Sequence, residues 1–498
     1  MKQDNIILEG NELEHLFEKL KLHSESDMYP YHMPGHKRRT WGELPGEIYD
    51  IDITEIDGFD NLHQPEELLL ALQQEAASMY GADESFYLVN GSTCGILAAI
   101  SAAIPEGGRI LMARNCHKAA YHAAYLRDLS ISYLYPEMIS DYGICGEISA
   151  RQVESALESD SEIDAVFIVS PTYEGRISDV KAIADVVHKK GIPLIVDEAH
   201  GAHLGFAEGF GENSCRLGAD LVIHSVHKTL PAMTQTALLH VNGSLINREM
   251  LRRFLRIYQS SSPSYVLMAS IDNALQYVKQ QGRAAFYAFR NNYAEMCKKL
   301  SECKHLSFLQ DDWNCQDVGK LLISVKDCSI SGKELYNILR EEYYLQLEMA
   351  AETYVLAMFT VNDGAEAYER MTKALLEIDE RVTPTRADGE ICLIEELSNE
   401  SACRERRELP LRAAWDAEYE WVSLDKAVGR YVAEFINLYP PGIPVLVPGE
   451  YVTENIAQQI RRSVYGNLNV QGVQIVPLCP AEQNFAETTS QINIKVIR

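Results

Sequence analysis

In ADLVIHSVHKTLPAMTQ, residues 219–235, the branched apolar run Leu221-Val222-Ile223 gives way at once to His224, Ser225, His227 and Lys228. A strand with one wet face would alternate, so successive Leu, Val and Ile predict a strand buried on both faces. Its carboxyl end delivers imidazoles and an amine. Working outward, RILMAR (109–114), DAVFIVSP (164–171) and IPLIVDEAH (192–200) have the same character. Between the last two, DVKAIADVVHKKG (179–191) has apolar residues at helical spacing, with Asp179 near its start and Gly191 as its stop. Strand, helix and strand in this rhythm require right-handed crossovers, so the predicted fold class is α/β with a mostly parallel sheet. Ligands of such sheets sit beyond the carboxyl ends of the strands.

Four polar clusters fall at those ends: Asn115-Cys116-His117-Lys118, Pro171-Thr172-Tyr173, Asp197-Glu198-Ala199-His200 and Ser225-Val226-His227-Lys228. A fifth, Asn90-Gly91-Ser92-Thr93-Cys94-Gly95, follows the strand-like SFYLV and precedes the apolar ILAAISAAI. Glycines and small hydroxyl residues at a helix start make an anion site, because unpaired backbone N–H groups and the helix dipole face the ligand. Taken singly, Lys228 reads as a solvated strand end, Asp197 as a turn residue, and Ser92 and Thr93 as helix caps. Together they supply a phosphate cradle (Gly91, Ser92, Thr93), a carboxylate and an amine. An amine that can form an imine, beside a carboxylate that can hold a ring nitrogen protonated, points to pyridoxal 5′-phosphate. A metal reading competes, since Asp197, Glu198, His200, His203, His224 and His227 lie close in sequence. It is the weaker one: H-x-x-H lacks the i, i+4 spacing of helical zinc ligands, and no metal is expected.

At 498 residues the chain exceeds one core of ordinary size. The 45 basic and 72 acidic residues leave a net charge of −27, which repels nucleic acid. The same charge could concentrate a cationic substrate, or simply keep a large oligomer soluble. No run of about 18 uncharged apolar residues occurs, so neither a signal peptide nor a membrane span is expected. Eleven cysteines without a C-x-x-C pair fit a reducing cytoplasm better than a disulfide framework or a zinc ribbon. Residues 1–45 are expected to be an N-terminal arm and 46–290 a large cofactor domain. A smaller α/β domain over 291–380 includes KLLISV (320–325), GKELYNILREEY (332–343) and YVLAMFTV (354–361). Residues 381–498 hold a charged linker and a C-terminal α+β domain, in which the four prolines of YPPGIPVLVPGE (439–450) keep the backbone extended.

HMPGHK (32–37), TEIDGFDNLHQPE (54–66), NCHKA (115–119), VDEAHGAH (196–203), SVHKTLPAMTQ (225–235) and YPPGIPVLVPGE recur in order along nearly the whole chain. In them the sequence resembles the bacterial Orn/Lys/Arg decarboxylases, pyridoxal-phosphate enzymes of the aspartate aminotransferase fold (fold type I). It resembles their shorter biosynthetic arginine or lysine members, for the receiver-like N-terminal wing of the large acid-inducible enzymes has no room here. The resemblance implies that Lys228 is the Schiff-base lysine, Asp197 the partner of the pyridine nitrogen and His117 the imidazole stacked on the ring. It implies phosphate contacts from Ser92, Thr93, Ser225 and His227, and places His200 near cofactor and substrate. It implies a small cationic amino acid as substrate, arginine or lysine before ornithine, and a homodimer or higher homo-oligomer. Glu450 is either a contact for the substrate cation or part of a structural loop. Ala119, Arg176, His224 and Pro231 depart from the family's pattern, with Ala119 and Arg176 bearing on substrate choice or cofactor fit. Two other readings stand beside decarboxylation: another fold type I reaction, transamination or aldol cleavage, and a catalytically silent regulatory homologue.

Overall fold

The computed structural model describes residues 14–26, 33–34, 36–39, 46–384, 409–439, 442–477 and 490–498. Most of the expected N-terminal arm and linker lies outside them, as do His32, Gly35, Pro440 and Pro441. Seven strands form the main sheet: β1 Glu84–Leu88, β2 Arg109–Ala113, β3 Ser130–Leu134, β4 Ala165–Val169, β5 Leu194–Asp197, β6 Leu221–His224 and β7 Ala237–Val241. Their order is β1-β7-β6-β5-β4-β2-β3. The pairs from β3 through β6 are parallel, while β7 runs antiparallel to both β6 and β1. Every residue of β5, β6 and β7 is buried, as strands covered on both faces must be. The helix Val180–His188 connects β4 to β5 and is capped by Asp179, whose carboxylate accepts from the N–H of Ala182 at 3.0 Å. A cap of this kind stabilises by about 1 kcal/mol.

The 36-residue helix Tyr265–Leu300 passes through position 290 and leads from the main sheet to a second one. That sheet contains β8 Ser307–Phe308, β9 Lys320–Ser324, β10 Met349–Ala350 and β11 Tyr354–Met358, in the antiparallel order β8-β9-β11-β10. Toward the C-terminus lie β12 Tyr419–Ser423, β13 Ile436–Leu438, β14 Ile443–Leu446, β15 Val470–Gln471, β16 Val473–Pro477 and β17 Ser490–Ile497. They make two three-stranded sheets, β12-β17-β16 and β14-β13-β15. These sheets enclose a separate apolar cluster that includes Val432, Ile436, Leu446, Ile456 and Ile494. Among the described residues no helix is long and apolar enough to cross a membrane, and the eight cysteines are all free.

One buried ion pair fastens the C-terminal unit to the main sheet. Arg114, directly after β2, is fully buried and forms a fork with Glu450: Nε donates to Oε1 at 3.1 Å and Nη2 to Oε2 at 3.0 Å. Its remaining donors reach the carbonyls of Pro444 at 2.8 Å and Val445 at 3.2 Å and the hydroxyl of Tyr121 at 3.2 Å. Glu450 accepts from Arg114 and from the backbone N–H of Val447, an arrangement that fits the structural one of its two expected roles. A paired guanidinium is tolerated in the core, but an orphaned carboxylate is not. Arg114→Leu should therefore cost about 3–5 kcal/mol in chemical denaturation, and adding Glu450→Leu should recover much of that loss.

Candidate active site

A cavity of about 310 Å³ opens at the carboxyl ends of β4, β5 and β6. All nine residues expected there line it: Gly91, Ser92, Thr93, His117, Asp197, His200, Ser225, His227 and Lys228. Lys228 sits in the single helical turn Val226–Thr229, and its Nζ lies 3.0 Å from Nε2 of His200. Burial lowers its pKa, while Asp197 and Glu348 act in the opposite direction. Asp197 is the last residue of β5, with Oδ1 accepting from the N–H of Ala199 at 3.1 Å. Burial pushes its pKa up to about 6 against the pull of Lys228.

His117 caps the helix Lys118–Arg127: Nδ1 accepts from the N–H of Ala119 at 3.2 Å, so the ring proton belongs on Nε2. Burial, then Lys228 and Lys118, lower its pKa to about 4, leaving an uncharged aromatic face. His227 donates from Nδ1 to the carbonyl of Thr236 at 2.8 Å, which leaves Nε2 for a ligand. Gly91 begins the helix Gly91–Ala103 at φ 73°, and a side chain placed there would meet nothing within 4 Å. The helix N-terminus therefore faces open space.

The groups of the metal reading are divided among separate partners. His203 bonds Asp317 at 3.0 Å, and His224 bonds Glu198 at 3.2 Å and His240 at 3.0 Å. Among the described residues, the side chains spaced to hold a metal are His15, Glu75 and Asp272, outside this cavity. Two departures from the family pattern also acquire places. Arg176 pairs with Glu147 at 3.1 Å and Asp311 at 2.7 Å, and Ala119 is buried in the main core.

Three residues of the site were not singled out as candidates. Glu348, before β10, and Tyr439 and Ile443, around the proline-rich loop, line the cavity from more than 100 residues away in sequence. The hydroxyl of Tyr173 donates to Glu348, and the Tyr173 ring meets His200 edge-on at 5.0 Å. Lys320 lies just behind, its Nζ 2.7 Å from Nδ1 of His200. Its signal was present, as a lysine opening the buried run KLLISV.

The family description "Orn/Lys/Arg decarboxylase, major domain" matches residues 14–356, and the corresponding C-terminal domain matches 408–462. The chain belongs to the Orn/Lys/Arg decarboxylases. An arginine decarboxylase of Bacillus anthracis is 29% identical over 480 residues, covering 93% of this chain and 95% of its own. The inducible lysine decarboxylase of Escherichia coli is 24% identical, over 77% of this chain and 65% of its own. In fold, the decarboxylase resembles the lysine decarboxylase LdcF of Francisella novicida, with a TM-score of 0.78 at 18% identity over 97% of this chain and 81% of that one.

The family implies pyridoxal phosphate, and the donors present fit it. Ser225 Oγ and Asn115 Oδ1 are buried, line the cavity and have no partner, so the site offers polar groups awaiting a ligand. The raised pKa of Asp197 makes the site a stability cost in the chain without cofactor. Its carboxyl ionises near 3.8 when unfolded and about 6 when folded, so stability falls as pH rises between those values. Asp197→Asn should gain up to about 3 kcal/mol above about pH 7, and nothing below about pH 4, in denaturant melts of the cofactor-free decarboxylase.

Proposed function

We propose that the chain decarboxylates a basic L-amino acid, arginine or lysine before ornithine, to CO2 and the corresponding amine, with pyridoxal 5′-phosphate as cofactor. One observation carries this reading: a half-buried amine and a buried carboxylate, Lys228 and Asp197, line the same cavity as an open helix N-terminus at Gly91. Pyridoxal phosphate, when bound, supplies an aldehyde for amines and a ring that accepts the electron pair left by departing CO2. Lys228 would be the amine that holds the aldehyde. Asp197 would keep a proton on the ring nitrogen, with its carboxylate already steadied by the N–H of Ala199. His117 would offer its uncharged face to the ring, and the helix start at Ser92 and Thr93, with Ser225 and His227, would hold the phosphate where Gly91 leaves room. The Gly91 N–H itself goes to the carbonyl of Gln235 at 2.9 Å. His200 and the released Lys228 are the groups placed to return a proton to the substrate's Cα.

The exposed Glu348 at the cavity mouth offers a counter-charge to a cationic side chain, and the net charge of −27 favours such a substrate. Transamination finds less support. Among the described residues no arginine lines the cavity, so the fork that clamps a substrate carboxylate is missing. We also infer a cytoplasmic homodimer or larger homo-oligomer, and four units over 1–45, 46–290, 291–380 and 381–498. The second and third of these share the helix Tyr265–Leu300.

The direct test is CO2 release and amine product from arginine, lysine and ornithine in parallel, with added cofactor. One substrate should be turned over; release from none of them by cofactor-loaded protein would overturn the reading. Lys228→Ala should abolish both turnover and the absorbance of cofactor joined to protein, with an unchanged melting temperature as the control for folding. Asp197→Ala should slow turnover by about 10² to 10⁴, and a near-normal rate would contradict the role of its carboxylate.

A further inference from the structure

Lys320 opens β9 with 1% of its surface exposed, a state lysine reaches only when its charge is matched or given up. Its Nζ is 2.7 Å from His200 Nδ1, while His200 Nε2 is 3.0 Å from Lys228 Nζ. One imidazole is therefore held between two amines. An ammonium only donates, and a neutral imidazole offers one donor and one acceptor. Two ammonium groups would force a ring N–H against one of them, and an imidazolium would point N–H at both. Burial and the two amines keep the ring neutral, and with one charge on the trio every atom is satisfied by one ammonium, one neutral ring and one neutral amine.

We propose that Lys320 is a positioning residue for the decarboxylation: it donates to His200 Nδ1, turns Nε2–H toward Lys228, and stores the proton that Lys228 gains and gives up. The inference rests on the reading of Lys228 as the cofactor lysine. Lys320 faces His200, Lys228, Asp317, Glu348 and Glu174, with the Tyr173 ring 5.6 Å away. Lys228 faces Asp197, Glu348, His200, Lys320, His117 and His227. Asp317, held by His203 at 3.0 Å and the N–H of Gly319 at 2.9 Å, opposes the loss of the Lys320 proton that burial and Lys228 favour. Burial brings the Lys320 amine down to about 8, within reach of reversible proton loss.

The relay balances. Lys228 takes the Nε2 proton as Lys320 gives one to Nδ1, so two N–H bonds break, two form, and one positive charge passes from Lys320 to Lys228. The ring only exchanges its tautomer, and the reverse leaves Lys228 as the neutral nucleophile. Gly175 makes room for this: its φ is 97°, and a side chain there would come within 2.8 Å of Lys320 Cγ.

Ring ¹⁵N NMR of the full-length cofactor-free chain, with His200 assigned by its loss in His200→Gln, should show the Nε2–H tautomer. Lys320→Met should lose that preference, and Lys320→Arg, which still donates, should keep it. The pH midpoint for attachment of pyridoxal phosphate to Lys228, followed by absorbance, should rise by about one unit in Lys320→Met once the neighbouring charge is gone. Lys320→Arg should keep the midpoint yet lose about 10²-fold in turnover, because a guanidinium cannot release its proton. An Nδ1–H tautomer in the wild-type chain, or an unmoved midpoint in folded Lys320→Met, would overturn the proposal. Should Lys320→Met not fold, the wild-type tautomer decides alone. Failure of cofactor to attach to the wild-type chain at any pH would instead overturn the reading of Lys228, and the tautomer would still judge Lys320.

Discussion

Strands covered on both faces disfavour polar side chains along their length, and β4, β5 and β6 carry their chemistry at their ends. Because the three run parallel, those ends coincide at one edge of the sheet. The cavity, its two charged groups and its imidazoles follow from that single constraint. Asp197 and Lys228 are each costly to bury alone, and each moderates the other's cost. A cofactor that satisfies both therefore meets groups already held in place.

What could be read from the chain beforehand was whatever local physics decides. Leu221-Val222-Ile223 and Leu194-Ile195-Val196 announce buried strands, and Asp179 announces a helix start, because burial and capping act within a few residues. The nine candidate residues were legible because the parallel topology fixes where strand ends lie. Glu348, Tyr439 and Ile443 were not, since only the packing of distant units brings them to the cavity. The antiparallel return of β7 was also hidden: Ala237–Val241 is as fully buried as its parallel neighbours, and direction leaves no mark in such a run.

The histidines of the main sheet show how similar residues separate by environment. Glu198, next to Asp197, does not line the cavity and bonds instead the N–H of Ser214 and the ring of His224. His224 reaches His240, which reaches Ser85 at 2.6 Å, and Tyr80 packs beside both rings. Burial raises Glu198 to about 8 and lowers His224 to about 3, so this chain of hydrogen bonds carries no net charge near neutrality. It supports the strand ends without adding to the charges of the cavity.

The fork between Arg114 and Glu450 gives the C-terminal unit an architectural duty. Arg114 stands three residues before His117, and the carbonyls it holds, Pro444 and Val445, follow Ile443 in the cavity wall. The backbone of Lys118 is tied to the same loop through the carbonyl of Gly442 at 3.2 Å. One flank of the chamber is thus a fixed partition, while Thr93 and Glu348 stand exposed on its open side. Traffic of substrate and product, and any change in the size of molecule admitted, belongs to that doorway rather than to the partition.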